Sequence, residues 1–293
     1  MRIVTRLSAV AVVTLFLSSF AFANGRVETV RFHSKLLNAT LPYNVILPAG
    51  YDAARATRYP VFYLLHGLTG HYSDWVSRTN VADYASEYRL IVVMPEGNDG
   101  WYTDSSISAT DKYESYILQE LLPDVQQRYR TIEARYGRAI AGLSMGGYGA
   151  IKFGLKSPQT FVFAASMSGA FGITRFGEKD VPASWRESLK LFGPVGSETR
   201  KANDVFEIAG KLTADRVSSL PYFYFDCGTE DAPLIFPYNR ELAVLMFEKK
   251  IPHEYRELPG DHSWGYWDMQ VQEVLRVAAR KMPRMKPAKP RGV

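Results

Sequence analysis

The chain of 293 residues has a single cysteine, Cys227. One cysteine cannot close an internal disulfide, so stability must come from a packed core. No group of Cys and His residues has metal-ligand spacing, which argues against a structural zinc. Nothing in the pattern calls for a metal or a cofactor. Beyond the N-terminal region no apolar run reaches the roughly 20 residues that a membrane-spanning helix needs. No internal repeat and no low-complexity linker divides the chain. Acidic residues are missing from residues 280–291, a stretch with six basic residues and three prolines.

What is present is ordinary for a globular enzyme: 46% apolar and 22% charged residues. The net charge is +5, but it sits at the ends. Arg2 and Arg6 precede an apolar run over residues 7–20, and Ala21-Phe22-Ala23 places small residues where a signal peptidase reads. Residues 1–23 are therefore expected to be a signal peptide. The mature protein would be exported, to the periplasm or the medium. No Cys follows the apolar run, which argues against a lipid-anchored lipoprotein. Residues 280–293 read as a basic, proline-containing, disordered tail. Between these ends the charge is slightly negative, so the high pI does not indicate a nucleic-acid-binding face.

Residues 27–36 and 40–47 read as antiparallel strands. Short, continuously apolar runs follow at residues 61–65, 90–94, 139–143, 161–167 and 222–226, as expected of strands buried on both faces. Helical patterns over residues 112–129, 145–156, 237–249 and 264–281 alternate with several of them, although Pro123 interrupts the first. The alternation predicts an α/β domain over residues 24–279, with a mostly parallel central sheet and helices on both faces. Residues 172–220 are too long for a plain connection and carry one helical pattern, at 184–191. They are read as a small cap-like insertion over the active-site edge.

Gly142-Leu143-Ser144-Met145-Gly146 is a Gly-x-Ser-x-Gly pattern set between a strand and a helix. A sharp strand-to-helix turn exposes the serine, and the glycines make room for it. This makes Ser144 the candidate nucleophile of an α/β-hydrolase fold. A serine hydroxyl needs a base held by a third group, and in this fold the chain order is Ser, acid, His. His253 begins the strand-like run 254–258, whereas His262 follows it, at the carboxyl end where open parallel sheets place their sites. His262 is therefore the expected base. Asp226, Glu230 and Asp231 compete for the acid. Asp226 is still on its strand, and Asp231, past the glycine turn, is favoured. Asp261 reads as a turn residue. The oxyanion requires preorganised donors: the backbone N–H of Met145, and that of Leu68 in the loop after residues 61–65. His66 reads as a loop-shaping residue rather than a second base. Trp75, Trp101, Tyr102, Trp264 and Trp267 are aromatic residues near these segments, and Trp101 and Trp264 are the candidates for substrate contact.

Leu64-Leu65-His66-Gly67, Met94-Pro95-Glu96-Gly97-Asn98, Gly142 to Gly149, Cys227-Gly228-Thr229-Glu230-Asp231 and Gly260-Asp261-His262-Ser263-Trp264 together resemble the esterase D-like putative esterase family. That family includes tributyrin-type esterases, feruloyl and acetylxylan esterases, S-formylglutathione hydrolases and mycolyltransferases. The likeness covers nearly the whole mature chain. It implies Ser144, Asp231 and His262 as the triad, with Leu68 and Met145 as oxyanion donors. It also implies hydrolysis of a small-molecule or carbohydrate-linked ester with a short or aromatic acyl group. Acyl transfer of the mycolyltransferase type and a glutathione thioesterase activity are the alternatives. His66-Gly67-Leu68-Thr69-Gly70 departs from the Ser-Gly-Leu-Thr-Cys of S-formylglutathione hydrolases, and their substrate is cytosolic. Both points weigh against that branch. A binding module without catalysis is disfavoured, because all three triad residue types are in place.

Overall fold

The computed structural model describes residues 26–282. The expected signal peptide, and all but the first three residues of the expected tail, lie outside them. Eight strands form one sheet: β1 (Arg26–Ser34), β2 (Ala39–Leu47), β3 (Val61–Leu65), β4 (Ile91–Pro95), β5 (Arg138–Leu143), β6 (Phe163–Met167), β7 (Tyr222–Gly228) and β8 (His253–Leu258). Their spatial order is β1-β2-β4-β3-β5-β6-β7-β8. The first two pairings, β1 with β2 and β2 with β4, are antiparallel, and the remaining five are parallel. The architecture is the expected α/β one.

The continuously apolar strands are explained by burial on both sides. In β3, Val61, Tyr63 and Leu65 face one half of the core. Phe62 and Leu64 face the other. The first half is covered by the helix Met145–Lys156, which packs on β3, β5 and β6, and by Phe236–Glu248, which packs on β7 and β8. The second is covered by Trp264–Lys281, which crosses β6 and β7 and touches the short helix Val81–Ser86. Edge strand β8 has no fully buried residue.

Several elements differ from expectation. Residues 112–129 are three joined segments: Tyr113–Ser115, a π-helical stretch Tyr116–Leu121, and Leu122–Arg128. Pro123 falls in the first turn of the last segment, where a missing N–H is tolerated, and the wider turn precedes it. The insertion at 172–220 is a chain of short helices rather than one; the expected helix at 184–191 is split into Ala183–Trp185, Arg186–Leu189 and Lys190–Phe192. Two residues of the expected tail are helical. Arg280 and Lys281 belong to the last helix, and the Lys281 ammonium sits 3.5 Å from the centre of the Tyr222 ring. Among the described residues no helix is long and apolar enough to cross a membrane.

After β4 the chain crosses to the other side of β3 to form β5. The loops leaving the carboxyl ends of β3 and β5 thus diverge, and a crevice opens between them. That crevice holds the residues described next.

Candidate active site

Ser144 lies between β5 and the helix Met145–Lys156 with φ +52° and ψ −115°. A non-glycine residue in this region is strained, at about 1–3 kcal/mol, and has to be held there. Its N–H donates to Met167 O (2.9 Å), and its carbonyl accepts from Ala170 (3.1 Å) and Tyr148 (3.0 Å). The turn closes only because two residues lack side chains. A Cβ on Gly142 would lie 2.4 Å from the backbone of Gly146, and one on Gly146 would lie 2.5 Å from His66 O.

The Ser144 hydroxyl is 3.0 Å from His262 Nε2, and His262 Nδ1 is 2.9 Å from Asp231 Oδ1. The three residues arrive on the loops after β5, β8 and β7, at one end of the sheet. The Asp231 side chain is fully buried, whereas that of His262 is 28% exposed, so the base can meet a substrate while its partner is shielded. Asp231 Oδ1 also accepts from the Ala232 N–H (2.7 Å), and the Cys227 thiol lies 3.7 Å from Oδ2. Burial and the neighbouring Asp231 carboxylate push that thiol well above its ordinary range, so it stays protonated as a weak donor. Trp267 stands edge-on to the imidazole at 4.9 Å, Trp264 meets Trp267 at 5.3 Å, and Trp75 backs Trp264 at 5.4 Å. This aromatic stack fixes the face that His262 turns to the serine.

The rival acids are elsewhere. Glu230 is exposed on the loop. Asp226 is fully buried on β7 and accepts from Tyr266 Oη (2.8 Å), while its second oxygen has no partner among the described residues. Burial pushes its pKa from 3.8 up to about 7, and the hydrogen bond from Tyr266 offsets only part of that. The folded protein therefore holds this proton at pH values where the unfolded chain has released it. Stability from this group falls as pH rises from about 4 to about 7, and the deficit persists above. Asp226→Asn, which keeps the acceptor for Tyr266, is expected to raise the melting temperature at pH 8 and to change it little at pH 4. Three pKa units bound the gain at about 4 kcal/mol. Equal shifts at both pH values in a thermal melt would refute the assignment. His253 lies at the far end of β8, where its ring bonds Ile251 O (2.8 Å).

A cleft of about 480 Å³ lies over the serine, lined among others by Gly67, Leu68, Ser144, His262, Trp264, Trp267, Arg78 and Trp185. Leu68 and Trp264 thus both line the cleft. Met145 opens its helix beside the serine, with its backbone at the positive helix end. Trp101 requires a correction. It is fully buried, not in the cleft; its ring packs against Tyr148, Trp185 and Phe192, and Nε1 donates to Ser188 Oγ (3.0 Å). It supports the insertion from beneath. The aromatic residue that the insertion offers to the cleft is Trp185, which sequence reasoning missed. Its only signal was a tryptophan in the one helical pattern of an otherwise irregular segment. Asp261 accepts from Ser263 Oγ, as a turn residue would.

Residues 34–277 match the family model described as putative esterase. Among curated relatives, an acetyl esterase of Caldicellulosiruptor saccharolyticus is 26% identical over 257 residues, which is 84% of this chain and 95% of that protein. Esterase Rv1288 of Mycobacterium tuberculosis is 31% identical over 279 residues, 86% of this chain but 59% of that protein. Among solved structures, a ferulic acid esterase superposes with a TM-score of 0.75 at 28% identity, covering 88% of this chain and 99% of the other.

Proposed function

Because the chain belongs to the putative esterase family, we propose that it is a serine carboxylesterase, exported from the cytoplasm, that hydrolyses short-acyl or aryl-acyl esters through an acyl-enzyme. The observation that carries this reading is the unbroken relay from Ser144 Oγ through His262 to Asp231, at 3.0 and 2.9 Å. His262 accepts the serine proton as Oγ attacks the ester carbonyl. Asp231 holds the ring with its proton on Nδ1 and stabilises the imidazolium. The N–H groups of Leu68 and Met145 receive the developing oxyanion. His262 then returns the proton to the departing alcohol, and a water attacks the acyl-serine by the same route in reverse.

The cleft supports an acyl group of modest size. Its volume lies near the lower end of small-ligand sites, and its walls are aromatic on both the Trp185 and the Trp264 sides. A panel of esters graded in acyl length, with methyl ferulate and acetylated xylan included, tests the reading. Short-acyl or feruloyl esters are expected to have the highest kcat/KM. A preference for long acyl chains, or for transfer to an added alcohol over water, would favour the acyltransferase alternative. Turnover confined to S-formylglutathione would favour the thioesterase. The export part of the proposal rests on Arg2, Arg6, the apolar run and Ala21-Phe22-Ala23. N-terminal sequencing of the native protein is expected to begin near Asn24, and a start at Met1 would refute it.

A further inference from the structure

The loop His66–Gly70 contains a buried histidine that the relay does not use. His66 is 1% exposed. Its Nδ1 lies 2.7 Å from Gly67 O, and the Gly97 N–H donates to its Nε2 from 2.8 Å. The Glu96 carboxylate, 3.2 Å from Nε2, would favour a proton there. The Gly97 N–H is closer and aimed at the ring, and it requires a lone pair on Nε2. The ring proton therefore sits on Nδ1 and is donated to Gly67 O.

Gly67 O belongs to the same peptide group as the Leu68 N–H. No peptide bond in the described residues is cis, so the two ends of that group point in opposite directions. The oxygen is held inward by the buried imidazole and by the Gly70 N–H (3.1 Å). The N–H then faces the cleft, which Gly67, Leu68 and Ser144 line together. The group is also close to the nucleophile, since a Cβ on Gly67 would stand 3.4 Å from Ser144 Cβ. Donation to one end of an amide polarises it and strengthens the donor at the other end.

A second residue holds His66 in turn. Tyr102 is fully buried, and its hydroxyl donates to His66 O (3.1 Å) with the two rings edge to face at 5.9 Å. Its ring occupies space that Gly97 and Gly149 leave open, where a Cβ would lie 2.6 and 2.8 Å from the ring. Trp101 and Tyr102 both have φ +49°, a strain that the surroundings sustain. The Tyr102 carbonyl accepts from Lys152 Nζ at 2.9 Å. Lys152 lies on the helix that Met145 opens. It is itself fully buried and paired with Glu114 at 2.9 Å. A continuous line of contacts thus runs from the helix of one oxyanion donor, through Lys152, Tyr102 and His66, to the peptide of the other.

We infer that His66 and Tyr102 are positioning residues, a strut that aims the Leu68 N–H at the oxyanion and fixes its distance from the Met145 N–H before substrate arrives. The inference rests on the esterase reading, with Leu68 as an oxyanion donor. The strut touches no substrate and acts only when negative charge develops on the carbonyl oxygen.

The experiment compares Tyr102→Phe, His66→Leu and His66→Asn with wild type. The Asn amide can replace the Nδ1–H donor. Each variant is titrated with a fluorophosphonate, so that kcat is expressed per reactive Ser144, and its affinity for phenylboronic acid, which forms a tetrahedral adduct on the serine, is measured. Losing an oxyanion donor costs about 100- to 1000-fold, and misaiming one should cost less. His66→Leu is expected to lower kcat roughly 10- to 100-fold with KM within about twofold, and to weaken boronate binding by a similar factor. His66→Asn is expected to recover most of both. Tyr102→Phe, the variant least able to disturb folding, is expected to show the same pattern at smaller size. A purely structural role would lower the reactive fraction and leave kcat per site and boronate affinity unchanged; that result in Tyr102→Phe and His66→Leu overturns the inference. Failure of the wild type to react at Ser144 would overturn the esterase reading itself, and the strut with it.

Discussion

Ser144→Ala is expected to lower kcat about a millionfold, the scale on which a serine hydrolase loses its nucleophile. The remaining rate, from donors and binding alone, would still exceed that in water. The fold should persist. The substitution removes one oxygen, the Ser144 side chain makes no cap hydrogen bond to its helix, and the backbone is held by Met167, Tyr148 and Ala170. Circular dichroism and the melting temperature should therefore match wild type. A fluorophosphonate should add to the peptide bearing Ser144 in wild type and to nothing in the mutant. Labelling at another serine, or a mutant with a substantial fraction of wild-type turnover, would remove Ser144 from the mechanism.

Asp231→Asn should cost about 10⁴ in kcat. The change is nearly isosteric, so its effect is chemical. A carboxylate accepts the Nδ1 proton and leaves Nε2 free to take the serine proton. The Ala232 N–H and His262 Nδ1 share one oxygen, Oδ1, so an amide that keeps its oxygen there satisfies both without a charge, and one that turns its NH₂ to that position stabilises the opposite tautomer. In the second orientation Nε2 would carry a hydrogen and could not act as a base. In either, the charge that balances the imidazolium would be gone. Glu230→Gln, at an exposed side chain, should retain near-wild-type rates, and so should Asp226→Asn, whose carboxyl faces Tyr266. If either of those variants lost activity while folded and Asp231→Asn kept it, the acid would have been misassigned. Ser144 and His262 would be unaffected.

The relay is legible in the sequence because its residues obey local rules. A serine between an apolar strand and a helix, flanked by glycines, has few other uses. A histidine after a strand and one before it are separated by which end of the sheet they occupy. Asp231 is separable from Asp226 because a strand residue next to a glycine turn is directed by the pleat, while the loop beyond is not. The aromatic assignments are harder for a physical reason. Trp101 and Trp264 both stand near catalytic segments, but the first sits in a positive-φ turn that sends its ring under the insertion. No periodicity reports such a turn. Trp185 belongs to a segment whose short helices depend on tertiary contacts. Lys152 illustrates a third case. Eleven of the twelve residues of its helix are buried, so an ionised side chain there must find partners inside, but the sequence does not show that these are Glu114, Tyr102, Thr103 and Asn203.

The sheet is open, so its two outer strands leave backbone donors and acceptors that another molecule's strand could use. The charges on those strands address that hazard. β1 carries Arg26, Glu28 and Arg31, and β8 carries Glu254, Arg256 and Glu257 within six residues. On β8 these charges are already committed: Glu257 to Arg240 at 2.7 Å, Arg256 to Glu273 at 2.8 Å and Glu254 to Arg280 at 3.6 Å. A neighbouring copy that extended the sheet across β8 would bring its own side chains against these hydrated pairs, which disfavours the approach. Sheet-to-sheet polymerisation is thus opposed by side chains on the rim of the fold, separate from the groups that perform the chemistry, so the surface of the protein can resist aggregation without constraining what its cleft accepts.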